Sequence, residues 1–123
     1  MAVQPFVSRK QAQQEFFTDE RCFIIENHNT PRDDALSVAQ ARVEPGVATV
    51  WHRLRDTDER YVALEGHGFV EVGDDVAVEL NPGDVVFIPA GVRQRIINKG
   101  SGQLIFLALC TPRFRPENYE ALE

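Results

Sequence analysis

Gly46-Val47-Ala48-Thr49-Val50-Trp51-His52-Arg53-Leu54-Arg55-Asp56-Thr57-Asp58-Glu59-Arg60-Tyr61-Val62-Ala63-Leu64-Glu65-Gly66 is the most informative stretch of the chain. Side chains alternate between the two faces of a strand. In a strand over Ala48 to Leu54, Ala48, Val50, His52 and Leu54 therefore share one face, opposite Thr49, Trp51 and Arg53. Asp56-Thr57-Asp58 reads as a turn, after which Glu59, Tyr61 and Ala63 share a face of the next strand. With both pointing inward, His52 and Glu59 can meet across a hairpin. An imidazole and a carboxylate converging on an apolar interior suit a divalent metal, or a general acid and base.

Outward from this stretch the same punctuation continues. All eight glycines lie between Gly46 and Gly102. β-branched and aromatic residues recur in short runs: Cys22 to Glu26, Ala35 to Val43, Ala48 to Leu54, Arg60 to Leu64, Phe69 to Val72, Val76 to Leu80, Val85 to Ile88, Arg93 to Asn98 and Leu104 to Cys110. Between them stand turn signals such as Gly73-Asp74-Asp75, Asn81-Pro82-Gly83-Asp84 and Pro89-Ala90-Gly91. Close-spaced strands with no helix-length pattern between them predict an all-β antiparallel sandwich or barrel. Short terminal helices flank it: Ser8 and Gln11 match a capping box for a helix through about Phe16, and Pro116 can start a helical turn over Glu117 to Leu122. That tail is expected to cap an open end of the barrel.

The chain has 123 residues, 13 Lys plus Arg and 19 Asp plus Glu, for a net charge of -6. This length suits a single domain, 1–123, able to bury roughly 60 to 70% of its unfolded surface without disulfide or structural zinc. The acidic balance argues against nucleic acid, whose phosphates call for clustered Lys and Arg. The longest apolar run, Leu104 to Cys110, is seven residues, far below a membrane span of roughly 20. Met1 to Lys10 has no secretory pattern, so a cytoplasmic location is expected. Cys22 and Cys110 lie in apolar runs and read as reduced, partly buried thiols.

The spacing in two segments resembles the cupin superfamily of small β-barrels. Its first motif is Gly, five residues, His, one residue, His, three or four residues, Glu, six residues, Gly; Gly46, His52, Glu59 and Gly66 fit, with Leu54 in the second His position. Its second is Gly, five residues, Pro, one residue, Gly, two residues, His, three residues, Asn; Gly83, Pro89, Gly91 and Asn98 fit, with Gln94 in the His position. Eight of ten motif positions agree across 46–66 and 83–98. Both departures fall on the family's metal ligands, so two of the four usual ligand positions are changed.

The resemblance implies a cupin-type jelly roll, or double-stranded β-helix, with a small-molecule pocket inside. It implies a divalent metal (zinc, manganese, nickel or iron) held by His52, Glu59 and Gln94, where Gln94 offers only a neutral carbonyl oxygen and Leu54 offers nothing. With Glu59 or Tyr61 moving a proton beside such a metal, isomerase or lyase chemistry follows. A dioxygenase is less favoured, since one His stands where iron sites use two or three. The rival reading is a metal-free binding or regulatory barrel in which Leu54 and Gln94 mark a lost site and His52 and Glu59 are a hydrogen-bonded pair. Cupins commonly pair, so a homodimer is expected. Arg53, Arg60, Arg93 and Arg95 fall on outward faces, His28 and His67 in loops, and Trp51, Tyr61, Phe87 and Phe106 read as core or pocket wall.

Overall fold

The computed structural model describes residues 3–123. Eleven strands follow in chain order: β1 (Phe16–Phe17), β2 (Phe23–His28), β3 (Ser37–Val43), β4 (His52–Leu54), β5 (Asp58–Glu65), β6 (Gly68–Val72), β7 (Val78–Leu80), β8 (Val85–Ile88), β9 (Gln94–Asn98), β10 (Leu104–Thr111) and β11 (Tyr119–Ala121). They form a six-stranded sheet, β1-β2-β3-β10-β5-β8, and a five-stranded sheet, β11-β4-β9-β6-β7. Every pairing is antiparallel. Alternation decides the inner faces. β5 buries Glu59, Tyr61 and Ala63 while Val62 and Arg60 lie between them, and β9 buries Gln94, Ile96 and Asn98. Val43, Ala63, Leu104 and Phe106 of the larger sheet meet Val70, Leu80 and Ile96 of the smaller one in a single apolar cluster.

Gly66 closes the β5–β6 hairpin at φ 82°, where a Cβ would come within 2.4 Å of the Gln103 carbonyl oxygen. Only glycine fits both the left-handed backbone and that approach.

Three expectations are revised. The turn over Asp56-Thr57-Asp58 is not a hairpin, because β4 belongs to the smaller sheet and β5 to the larger. This segment crosses between the sheets, with Asp56 at φ 56° and Thr57 buried, its hydroxyl donating to the Arg55 carbonyl at 3.0 Å. The N-terminal helix shrinks to one 3-10 turn, Ala12–Gln14, because the Ser8 hydroxyl bonds His28 Nδ1 at 2.6 Å and caps nothing. The tail makes a 3-10 turn, Pro116–Asn118, and then continues as β11 alongside β4. Among the described residues no helix is long and apolar enough to cross a membrane.

Candidate functional site

The inner face of the larger sheet carries small side chains where other positions are large: Ser37, Ala39 and Ala41 on β3, and Ala108 on β10. Their missing volume leaves a cavity of about 170 Å³ between the sheets. Apolar groups wall much of it, including Phe16, Ile24, Leu54, Phe106 and Phe114. Register pairs the polar groups: His52, on the cavity wall, lies opposite the buried Gln94 between β4 and β9, and Glu59 lies opposite Cys110, both on the wall, between β5 and β10.

His52 is 3% exposed and lines the cavity. Its Nδ1 lies 2.7 Å from the Val50 carbonyl oxygen, which only accepts, so Nδ1 carries the proton. That tautomer leaves the lone pair on Nε2, which has no protein partner among the described residues. The Tyr119 ring stacks on the imidazole at 5.2 Å between centroids.

Across from it, Glu59, Gln94 and Tyr61 form one chain. The Tyr61 hydroxyl donates to Gln94 Oε1, and Gln94 Nε2 donates to Glu59 Oε1 at 2.8 Å. The Cys110 thiol lies 3.6 Å from Glu59 Oε2 and donates to it. Burial pushes the Glu59 carboxyl above the ordinary carboxylate range; the neighbouring His52 and the Gln94 bond pull it down, and the Glu20 charge pushes it up again. Burial and then the Glu59 charge hold the Tyr61 phenol well above its usual value. Cys22 and Cys110 are free and buried, as expected, and burial pushes the Cys22 thiol up to about 12.

The motif residues thus converge, but from opposite sheets. Sequence reasoning missed three acidic or aromatic neighbours. Cys22, Ile24 and Glu26 alternate into the cavity along the start of β2, a period-2 signal that was present. Glu20 enters from the loop before β2, and Tyr119 from β11, neither with a readable pattern. Other candidates lie elsewhere. Trp51 lies under the guanidinium groups of Arg93 and Arg95, and the half-exposed Phe87 lines a separate hollow with Val70, Leu80 and Val85, away from this cavity. Arg53 pairs with Glu120, His67 with Asn81, and His28 with Asp33.

The Cupin_2 family, described as "Cupin domain", matches residues 39–110. The chain belongs to the cupin superfamily. An uncharacterized protein, MJ1618 of Methanocaldococcus jannaschii, is 33% identical over 87 residues, covering 71% of this cupin and 69% of the relative. The structure of TT1209 from Thermus thermophilus matches with a TM-score of 0.69 at 26% identity, over 80% of this chain and 90% of that one. Pac13 from Streptomyces, a nucleoside dehydratase, shares the fold at a TM-score of 0.74 and 15% identity, over 100% of this chain and 92% of its own. Its cavity has room for a small molecule.

Cupins often hold a metal, and His52, Glu59 and Gln94 are the side chains implied for one here. They fit it poorly. Gln94 has one atom able to coordinate, Oε1, and Tyr61 donates to it. Both Glu59 oxygens accept hydrogen bonds, and the fourth position is the buried Leu54. Of the atoms these three side chains could offer, only His52 Nε2 has no hydrogen-bond partner among the described residues. Among the described residues no three His, Cys, Asp or Glu side chains are grouped to hold an ion.

Proposed function

We propose that this cupin binds a compact organic molecule in the cavity and exchanges protons with it through His52 and Glu59, without a resident metal. The unpartnered Nε2 of a buried, tautomer-fixed His52 carries this reading. Nε2 accepts a proton from the ligand, and Glu59, whose burial favours the neutral acid, returns one to a ligand oxygen. One proton leaves and one is delivered, which is the balance of an isomerisation, or of a lyase reaction in which the protonated oxygen departs as water. Tyr61 acts through Gln94, orienting the amide so that it holds Glu59 in place. Pac13 illustrates that dehydration is carried out on this framework, though its likeness to this chain is one of fold.

The test is a thermal-shift screen against sugars, phenols and keto acids, run in EDTA and again with manganese, nickel, iron or zinc. A ligand at a hundred times its Kd stabilises by about 2.7 kcal/mol. The expected result is stabilisation in EDTA, undiminished relative to the metal-loaded runs and lost in His52→Gln. Stabilisation that appears only with metal overturns the proposal in favour of a His52, Glu59 and Gln94 metal site. As a positive control, Leu54→His combined with Gln94→His should bind zinc at least about a hundredfold more tightly than the natural chain, since it completes an imidazole-rich ligand set.

A further inference from the structure

The charges around the cavity are one-sided. Glu20, Glu26 and Glu59 line it, and no Lys or Arg does so among the described residues. The arginines of the surrounding strands point outward and are engaged there: Arg53 with Glu120, Arg93 with Asp74, and Arg95 with Glu71. His52 is the one lining side chain able to take a positive charge.

Glu20 is held at this wall by its backbone. Its carbonyl accepts from Val50 N–H at 3.2 Å, two residues before His52, and its N–H donates to the Thr18 hydroxyl at 3.2 Å. The next residue, Arg21, adopts φ 71°. Its guanidinium lies outside, donating to the Ala48 carbonyl at 3.2 Å and to Glu123 at 2.7 Å. The left-handed kink therefore sends Arg21 outward between two cavity residues, Glu20 and Cys22. The Glu20 carboxylate itself accepts no hydrogen bond among the described residues. With the unpartnered His52 Nε2, this is the second acceptor without a hydrogen bond that faces the 170 Å³ cavity.

We propose that Glu20 is a ligand-binding residue and that it makes the cavity select a compact organic cation, a protonated amine on a small apolar body. This rests on the small-molecule reading above and names the ligand class. The apolar body has aromatic walls, Phe16, Phe106, Phe114 and Tyr61, whose faces attract cations. A cavity of this size admits a body of roughly six to ten non-hydrogen atoms, since one of about 150 Å³ holds benzene. Burial holds Glu20 above the usual carboxylate range, and an incoming ammonium relieves that cost by pairing. A carboxylate or phosphate finds no counter-charge beyond His52 and faces the Glu20 carboxylate instead.

Isothermal titration with benzylamine, benzyl alcohol and benzoate separates these cases, because the three differ mainly in the charge on a common ring. Benzylamine should bind about tenfold or more tightly than benzyl alcohol, with benzoate weakest, in line with a charge-assisted contact in a desolvated site. Glu20→Gln should collapse the amine-to-alcohol ratio toward one, whereas the outer-surface Glu120→Gln should leave it intact. Equal binding of benzylamine and benzyl alcohol by the natural protein overturns the cation class while the pocket stands. Preference for the amine that survives in Glu20→Gln overturns the role of Glu20. No binding of any of the three, nor of the wider thermal-shift panel, overturns the pocket reading itself.

Discussion

The same strands run through two ends of the sandwich that are built on opposite terms. At one end Val43, Leu104, Ile96, Val70 and Leu80 interlock, and the buried polar side chain there, Asn98, is fully engaged. It donates to the Val43 and Gly102 carbonyls at 2.9 and 2.8 Å and accepts from Gly100 N–H at 2.9 Å. At the other end β3 and β10 switch to Ser37, Ala39 and Ala108, and the space they leave is faced by His52, Glu20 and Glu59. Asn98 and His52 are both buried, at 1% and 3% exposure, so burial does not separate a fully partnered polar group from one with an atom to spare. What separates them is partnering: both Nδ2 hydrogens and Oδ1 of Asn98 have partners, while the Nε2 lone pair of His52 has none among the described residues.

That contrast predicts a graded set of responses. Leu104→Ala strikes the filled end at a residue of 0% exposure, and should lower the unfolding free energy by about 2 to 5 kcal/mol in urea titration. A loss under 1 kcal/mol there, roughly that of a surface substitution, would erase the difference between the ends. Asn98→Ala orphans two carbonyls and one N–H, with an expected cost of about 1 to 3 kcal/mol by the same measurement. Ala108→Leu puts its extra carbons into the hollow end. It should change stability by less than about 1.5 kcal/mol while abolishing ligand binding in the thermal-shift screen. A destabilisation as large as that of Leu104→Ala would mean the hollow end is already packed.

The smallest effect concerns pH. The Glu59 carboxyl is raised in the folded protein, so between its unfolded and folded values the native state holds a proton that the unfolded chain releases. Its contribution is fully present below the unfolded value, about 4.3 for Glu, and declines as pH rises through the folded one. Glu20 and Glu26, also raised, act in the same direction, whereas the lowered Glu15 and Glu120 act in the opposite one. Comparing Glu59→Gln with the natural chain isolates the one group. The variant's Tm, relative to the natural protein, should be more favourable at pH 7 than at pH 4.5, and a parallel pair of curves would refute the assignment.

Period-2 alternation in β5, β9 and β10 was legible because those strands are five to eight residues long with one apolar face. It placed Glu59, Tyr61 and Gln94 inward correctly. Alternation says which face a residue takes, not which sheet its strand joins, and so His52 and Glu59 were assigned to one hairpin when a crossover separates them. β1 and β11, two and three residues long, are too short to show a period. Glu20 was invisible for a related reason: it owes its position to a left-handed Arg21 and to partners at Ala48, Val50 and Glu123, which only the folded chain brings together.

Trp51, the single tryptophan of the chain, adjoins His52 on the outer face, with Arg93 and Arg95 over its indole at 4.5 and 4.7 Å. Its backbone N–H donates to Glu123, the same side chain that clasps Arg21. Indole emission responds to nearby charge and to small changes in packing. A ligand that draws on His52 or shifts the Glu20 loop therefore has an optical reporter one residue away, so that binding can be followed by intrinsic fluorescence with no label introduced.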